Sequence, residues 1–174
     1  MRKILAASLA VVCAAAFGLP ATAGGAEDLP QSGKAKLQVS YVQTGGRHVA
    51  LTEATAFGWY EFAGVVRSVD GRPWFDRMTQ HCTVQRYGLM PRAVHDNGSC
   101  LYSDAEGDKL VVDWAEAGPG FGSGTQRIVG GTGKFAGIGG TGTWRTSPLP
   151  DPDEGLHAWL TDIELDFQIK RPTQ

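Results

Sequence analysis

Four side chains in the sequence have the chemistry to move a proton or hold an anion: Glu61, His81, Arg86 and Asp113. Glu61 stands in the run Phe57 to Val66, whose aromatic and β-branched residues can be followed on either face of a strand. With Trp59, Glu61 and Ala63 facing inward, burial raises the Glu61 carboxyl and suits it to donate or accept a proton. With Tyr60, Phe62 and Val66 facing inward, Glu61 meets water instead. The sequence leaves both open. Trp59, Tyr102 and Trp114, in a chain that carries five Trp, are the aromatic residues best suited to line an interior that holds an apolar or aromatic molecule.

Other motifs carry less. Ser123, in Gly122-Ser123-Gly124, lacks the G-x-S-x-G context of a hydrolase elbow. The histidines His48, His81, His95 and His157 are scattered, with no spacing that makes a zinc site. Asp104-Ala105-Glu106-Gly107-Asp108 has the oxygen spacing that opens a calcium loop, but the distal bidentate Glu is missing, so it reads as a polar hairpin turn. In the run Gly130 to Gly142, Gly133-Lys134 is followed by Phe135 where a phosphate-binding loop needs Ser or Thr. Gly137, Gly139 and Gly142 match G-x-G-x-x-G formally, yet Thr143-Trp144-Arg145 and prolines follow instead of a helix. These glycines read as a barrel corner where strands turn tightly, with Phe135, Ile138 and Trp144 as core contacts. Asn97-Gly98-Ser99 matches a glycosylation sequon and reads as a turn before Cys100. Neither a metal nor a cofactor is expected.

The N-terminus reads as an export signal. Arg2 and Lys3 precede an apolar run from Ile4 to Phe17, Leu19-Pro20 breaks it, and Ala21-Thr22-Ala23 supplies small residues for cleavage. That run is shorter than the ~20 residues a spanning helix needs, so no membrane association is expected after cleavage at about residue 23. The chain has 16 basic and 18 acidic residues, and two of the basic ones lie in the leader. The remainder is acidic and has no basic stripe to neutralise phosphates, which excludes nucleic acid as a partner. A periplasmic or secreted location follows, and in that oxidising setting Cys82 and Cys100 are expected to bridge. They lie symmetrically about Pro91, so a fold-back there makes them cross-strand neighbours.

The positioning elements are strands. Residues 24–35 mix Gly, Pro, Ser and charge and read as a flexible arm; residues 36–174 then form one domain. Strands are expected over Lys36 to Val42, Phe57 to Val66, Thr79 to Tyr87, Ser99 to Asp104 and Leu110 to Trp114, with a tight hairpin at Asp70-Gly71. The closing strand is the clearest, because Ile163, Leu165, Phe167 and Ile169 alternate with Asp162, Glu164, Asp166 and Gln168. Recurrent short strands, abundant Gly and no long amphipathic helix indicate an all-β fold, and closure into a barrel removes its edges.

Ile128-Val129-Gly130-Gly131-Thr132-Gly133-Lys134-Phe135-Ala136-Gly137 resembles the late-strand signature of allene oxide cyclase-like and dirigent-like barrels. Cys100 to Asp108 and Trp114 resemble the bacterial, secreted branch of that superfamily. The resemblance implies a closed antiparallel eight-stranded β-barrel with a mostly apolar cavity. It also implies a choice of functions: binding a small apolar or aromatic molecule, or acting on one as a cofactor-free isomerase or cyclase. No catalytic residue carries over by position. A third reading is a structural or interaction protein whose barrel is packed solid. The ligand's identity and whether the chain forms a homo-oligomer are left open.

Overall fold

The computed structural model describes residues 29–52, 55–89, 93–117 and 122–170. Its eight strands are β1 (Ser32–Ala50), β2 (Thr55–Ser68), β3 (Met78–Leu89), β4 (Ala93–Ser103), β5 (Lys109–Glu116), β6 (Ser123–Gly131), β7 (Ile138–Pro148) and β8 (Ala158–Ile169). Each pairs antiparallel with its sequence neighbours, and β1 pairs with β8 to close the barrel. The period-2 pattern does the sorting. In β8, Ile163, Leu165, Phe167 and Ile169 are buried while Asp162, Glu164, Asp166 and Gln168 meet solvent.

The two ends of the barrel differ. Connections β2–β3, β4–β5 and β6–β7 gather at the end where β1 begins. There, single 3-10 turns at Pro73–Phe75 and Gly133–Phe135 drive aromatic side chains into the bore. Phe75 stacks on Phe135 with ring centroids 5.7 Å apart and meets Phe167 edge-on at 5.3 Å. All three rings are at most 1% exposed, and Leu37, Val66, Met78 and Leu110 complete the plug. Each buried ring contributes roughly 2–3 kcal/mol of hydrophobic stabilisation. The other end stays open.

Several expectations are corrected. The residues from 29 onward are not a loose arm: Leu29 is buried, Gln31 accepts a hydrogen bond from the Ile169 amide, and Ser32 to Ala35 pair with β8. The inward alternation of β1 simply starts earlier, at Ala35, than its polar surroundings suggest. Asp70-Gly71 does not make a two-residue hairpin. The β2–β3 connection runs on through the 3-10 turn because Phe75 must reach the core, and the Asp70 carboxylate ties it down by accepting from Lys36 N, Ser68 Oγ and Arg72 N. Asn97-Gly98-Ser99 is not a turn but lies inside β4. The leader expected over residues 1–23 lies outside the described residues.

The disulfide is as the sequence implies. The β3–β4 register pairs Cys82 with Cys100, Arg86 with Asp96 and Leu89 with Ala93, all symmetric about position 91. Cys82 and Cys100 are bridged, with Cα atoms 4.0 Å apart and both side chains buried inside the barrel.

Candidate functional site

Above the plug the bore opens into a cavity of about 100 Å³, several times what one water needs. The interior is therefore packed at the plug and not solid above it. Tyr41 on β1, Phe62 on β2 and Trp159 on β8 form one aromatic wall. Tyr41 and Trp159 stack at 5.6 Å, and Phe62 stands edge-on to each at 5.5 Å. Trp114 on β5 and Trp144 on β7 form a second wall, their rings 5.4 Å apart and nearly perpendicular. Two glycines make room for these indoles. Gly98 pairs with Trp114, and a Cβ there meets the Thr83 carbonyl at 2.3 Å; Gly124 pairs with Trp144, and a Cβ there meets the Ala115 carbonyl at 2.1 Å.

Polar groups punctuate these walls. The hydroxyls of Thr146, Thr161 and Tyr41 form a hydrogen-bonded cluster. At the floor, Gln80 Nε2 donates to Tyr102 Oη and to Cys100 Sγ, each at 3.3 Å, while Gln80 Oε1 is buried without a partner among the described residues. Burial pushes the Tyr102 phenol well above its ordinary pKa, so it stays neutral.

Toward the mouth lies a charged triplet drawn from three consecutive strands. Arg86 Nε and Nη2 donate to the two carboxylate oxygens of Asp96 at 2.8 and 2.6 Å, and the guanidinium also lies over the Tyr60 ring at 5.0 Å. Asp96 N donates to Glu116 Oε2 at 3.1 Å. Burial pulls the Arg86 guanidinium down, but the hydrogen bonds and charge of Asp96, with Tyr60 and Glu116, outweigh it and hold Arg86 charged. For Glu116, burial and then the neighbouring Asp96 charge raise the carboxyl to about 7, against the pull of the Asp96 amide and Arg86. The site thus holds an aromatic body, a locked ion pair and a carboxyl that changes charge near neutrality.

Of the residues singled out from sequence, Arg86, Tyr102 and Trp114 line this cavity together with the Cys82–Cys100 bridge. Trp59, Glu61, His81 and Asp113 do not. In β2, Val66 is fully buried, and stepping back by twos brings Gly64, Phe62 and Tyr60 inward, so Glu61 and Trp59 lie on the outer face. Trp59 is 44% exposed there. His81 sits between the inward Gln80 and Cys82, and Asp113 between the inward Val112 and Trp114, so the same alternation turns both outward. Asp113 accepts from Ser99 Oγ at 2.7 Å and pairs with Arg127 on the outer surface.

The outer face that receives Trp59 is unusual. β1 pairs with β8 only as far as Val42 but with β2 as far as Ala50, and β4 pairs with β5 only from Asn97, so β1 to β4 extend beyond the rim. Val49, Phe57, Trp59 and Tyr87 are exposed on this extension, and Tyr87 stacks on His95 at 5.4 Å. The acidic turn at Asp104 to Asp108 is knitted to the Gly-rich turn. Lys134 Nζ sits 2.7 Å from the Asp104 carboxylate, and Lys134 N donates to Asp108 at 2.9 Å.

Sequence reasoning missed Asp96, Glu116 and Gln80. A signal existed for the first, because the fold-back symmetry that pairs Cys82 with Cys100 also sets Asp96 opposite Arg86. Glu116 shares the inward parity of Leu110, Val112 and Trp114.

No family model matches this chain, and no curated protein matches it. Among solved structures it is similar to that of the pterocarpan synthase dirigent protein, at 16% sequence identity over 85% of this chain and 92% of that chain, with a TM-score of 0.51. At this identity the likeness speaks to the fold, a dirigent-like eight-stranded barrel.

Proposed function

We propose that this chain is an exported barrel that binds a small apolar or aromatic molecule in its upper cavity. The observation that carries this reading is the cavity itself: five aromatic side chains from five strands surround open space above a plug that already supplies the core. The inward glycines at 98 and 124 support it, since they admit large indoles without closing the bore. The similar structure belongs to a protein named as a pterocarpan synthase, which is consistent with a barrel of this shape handling aromatic molecules. Export is read from the leader, and the Cys82–Cys100 bridge agrees with an oxidising compartment.

A second reading, a cofactor-free isomerase or cyclase, has one specific observation in its favour. Glu116 borders the same cavity as the aromatic walls, and a carboxyl poised near 7 can both give and take a proton there. Glu61, His81 and Asp113, which lie outside, have no part in this reading.

The test is native mass spectrometry of the mature protein purified from an exporting host, followed by organic extraction. A stoichiometric small molecule supports the cavity reading. An empty spectrum, together with failure to take up an environment-sensitive apolar dye, sinks it. Turnover of an extracted molecule that is lost in Glu116→Gln moves the weight to the enzyme.

A further inference from the structure

The cavity carries an uneven charge. Besides the phenols of Tyr41 and Tyr102, its ionisable lining residues are Asp96, Glu116 and Arg86, so two carboxyls face one guanidinium. Arg86 is committed, because its fork grips both oxygens of Asp96 and its face lies on Tyr60. The pair is internally neutral. Glu116 is what remains, with one oxygen accepting from the Asp96 amide.

We infer that the occupant is a small organic cation, an amine protonated at neutral pH and attached to an aromatic or apolar body. This rests on the cavity-binding reading and narrows its ligand class. An ammonium group at the mouth neutralises Glu116, and the aromatic walls attract a cation through their ring faces as well as burying its body. An anionic occupant has to displace Asp96 from Arg86 while lying beside Glu116, which costs a charge-assisted bidentate pair. A second observation points the same way at the floor, where Gln80 Oε1 is a buried acceptor without a partner among the described residues. It calls for an occupant with a hydrogen-bond donor.

The groups facing Glu116 are few. β2 contributes Tyr60, β3 Arg86 and β4 Asp96. Tyr41 comes from β1 and Tyr102 from β4, while β6, β7 and β8 present Gln126, Trp144, Thr146, Thr161 and Trp159, and these last five carry no acid or base. Near the mouth, His157 lies 5.9 Å from the Trp159 ring but is paired with Asp151. A carboxyl with a pKa of about 7 goes from about a tenth ionised at pH 6 to about nine-tenths at pH 8, whereas an alkylammonium stays charged across that range.

The experiment titrates the full mature chain, by tryptophan fluorescence, with three probes of one shape: 3-phenylpropylammonium, 3-phenylpropanol and 3-phenylpropionate. At pH 8 the ammonium is expected to bind at least about tenfold tighter than the other two, and to weaken by up to about tenfold at pH 6. Glu116→Gln is expected to abolish both the preference and its pH dependence. The wild-type pH comparison needs no variant, so the test survives if Glu116→Gln fails to fold. Equal or tighter binding of the alcohol or the propionate overturns the cation and leaves the cavity reading standing. No binding of any probe by a protein that still takes up an apolar dye also overturns the cation. No binding of probes or dye overturns both.

Discussion

The guanidinium of Arg86 grips the carboxylate of Asp96 through two hydrogen bonds, across a strand pair whose register also bridges Cys82 to Cys100. Asp96 is 7% exposed at its side chain and Arg86 22%, so this is a largely buried pair. Removing one partner strands the other charge. Asp96→Ala is expected to cost about 2–4 kcal/mol, toward the lower end of what a broken buried pair costs, because Arg86 keeps some solvent. Arg86→Lys keeps the charge but loses the planar fork and is expected to cost about 1–2 kcal/mol. Urea denaturation midpoints measure both, and wild-type stability in Asp96→Ala contradicts the assignment.

The bridge between Cys82 and Cys100 closes a segment with a sequence separation of 18. In the chain-entropy account a loop of this size is worth about 3 kcal/mol. The double variant Cys82→Ala, Cys100→Ala is expected to melt roughly 6–12 °C lower, by differential scanning calorimetry, for a domain of this size. Reduction of the wild type should produce a shift of the same sign. A melting temperature unmoved by either treatment shows that the neighbouring strands hold the wall without the bond.

Glycine positions separate packing from mere flexibility. Gly124→Ala places a methyl 2.1 Å from the Ala115 carbonyl and 2.6 Å from Trp144 Cζ2, so strand or indole must move. The expected cost is about 1–3 kcal/mol, with a changed Trp emission as Trp144 is displaced. Gly139→Ala is the control: nothing lies within 4 Å of the added methyl. Its expected effect is within about 0.5 kcal/mol of zero. Equal effects at the two positions contradict the packing described.

The raised Glu116 carboxyl gives stability a pH signature of definite sign. Its pKa is about 7 in the folded protein against an ordinary value of 4.5, so the folded state holds the proton more tightly than the unfolded chain. That contribution is fully present below 4.5 and is lost as pH rises through 7. Because the carboxyl is only partly buried, solvent screening limits it to on the order of 1 kcal/mol. Asp70 and Asp104 act oppositely. Burial works against each carboxylate, but the amide and hydroxyl bonds at Asp70 and the Lys134 contact at Asp104 keep their pKa values below the ordinary level, so their contributions fade as pH falls through the folded values. The clean measurement is the difference between wild type and Glu116→Gln, which should change by that amount between pH 5 and 8. A flat difference contradicts the raised carboxyl.

Much of this architecture is legible where polar and apolar residues alternate. β8 reads directly because four apolar side chains interleave with four polar ones, and the pairing of Cys82 with Cys100 reads from symmetry about Pro91. β6 and β7 read only as a corner, since Gly and Thr fill positions where the bore leaves no room for bulk or must admit an indole. β2 was ambiguous for a physical reason. Its outer face belongs to the extension beyond the rim, so Phe57 and Trp59 compete with Tyr60 and Phe62 for the inward assignment, and hydropathy cannot choose. The charged triplet was half legible: Arg86 stood out, whereas Asp96 and Glu116 looked like ordinary polar residues near strand ends. Strand parity, anchored by the bridge, is the information that gathers them.

Closure of the barrel joins β1 to β8, residues separated by most of the chain. Every other pairing is between sequence neighbours, so a nascent chain can assemble hairpins in order yet cannot seal until its last strand is available. Until then β1 keeps a free edge and the bore lacks the side chains of Ile163, Leu165 and Phe167. On the proposed export of this chain, with its N-terminus leading, this order of events would keep the polypeptide pliable in transit; in any setting, arrival of the C-terminal strand is the moment at which the structure locks.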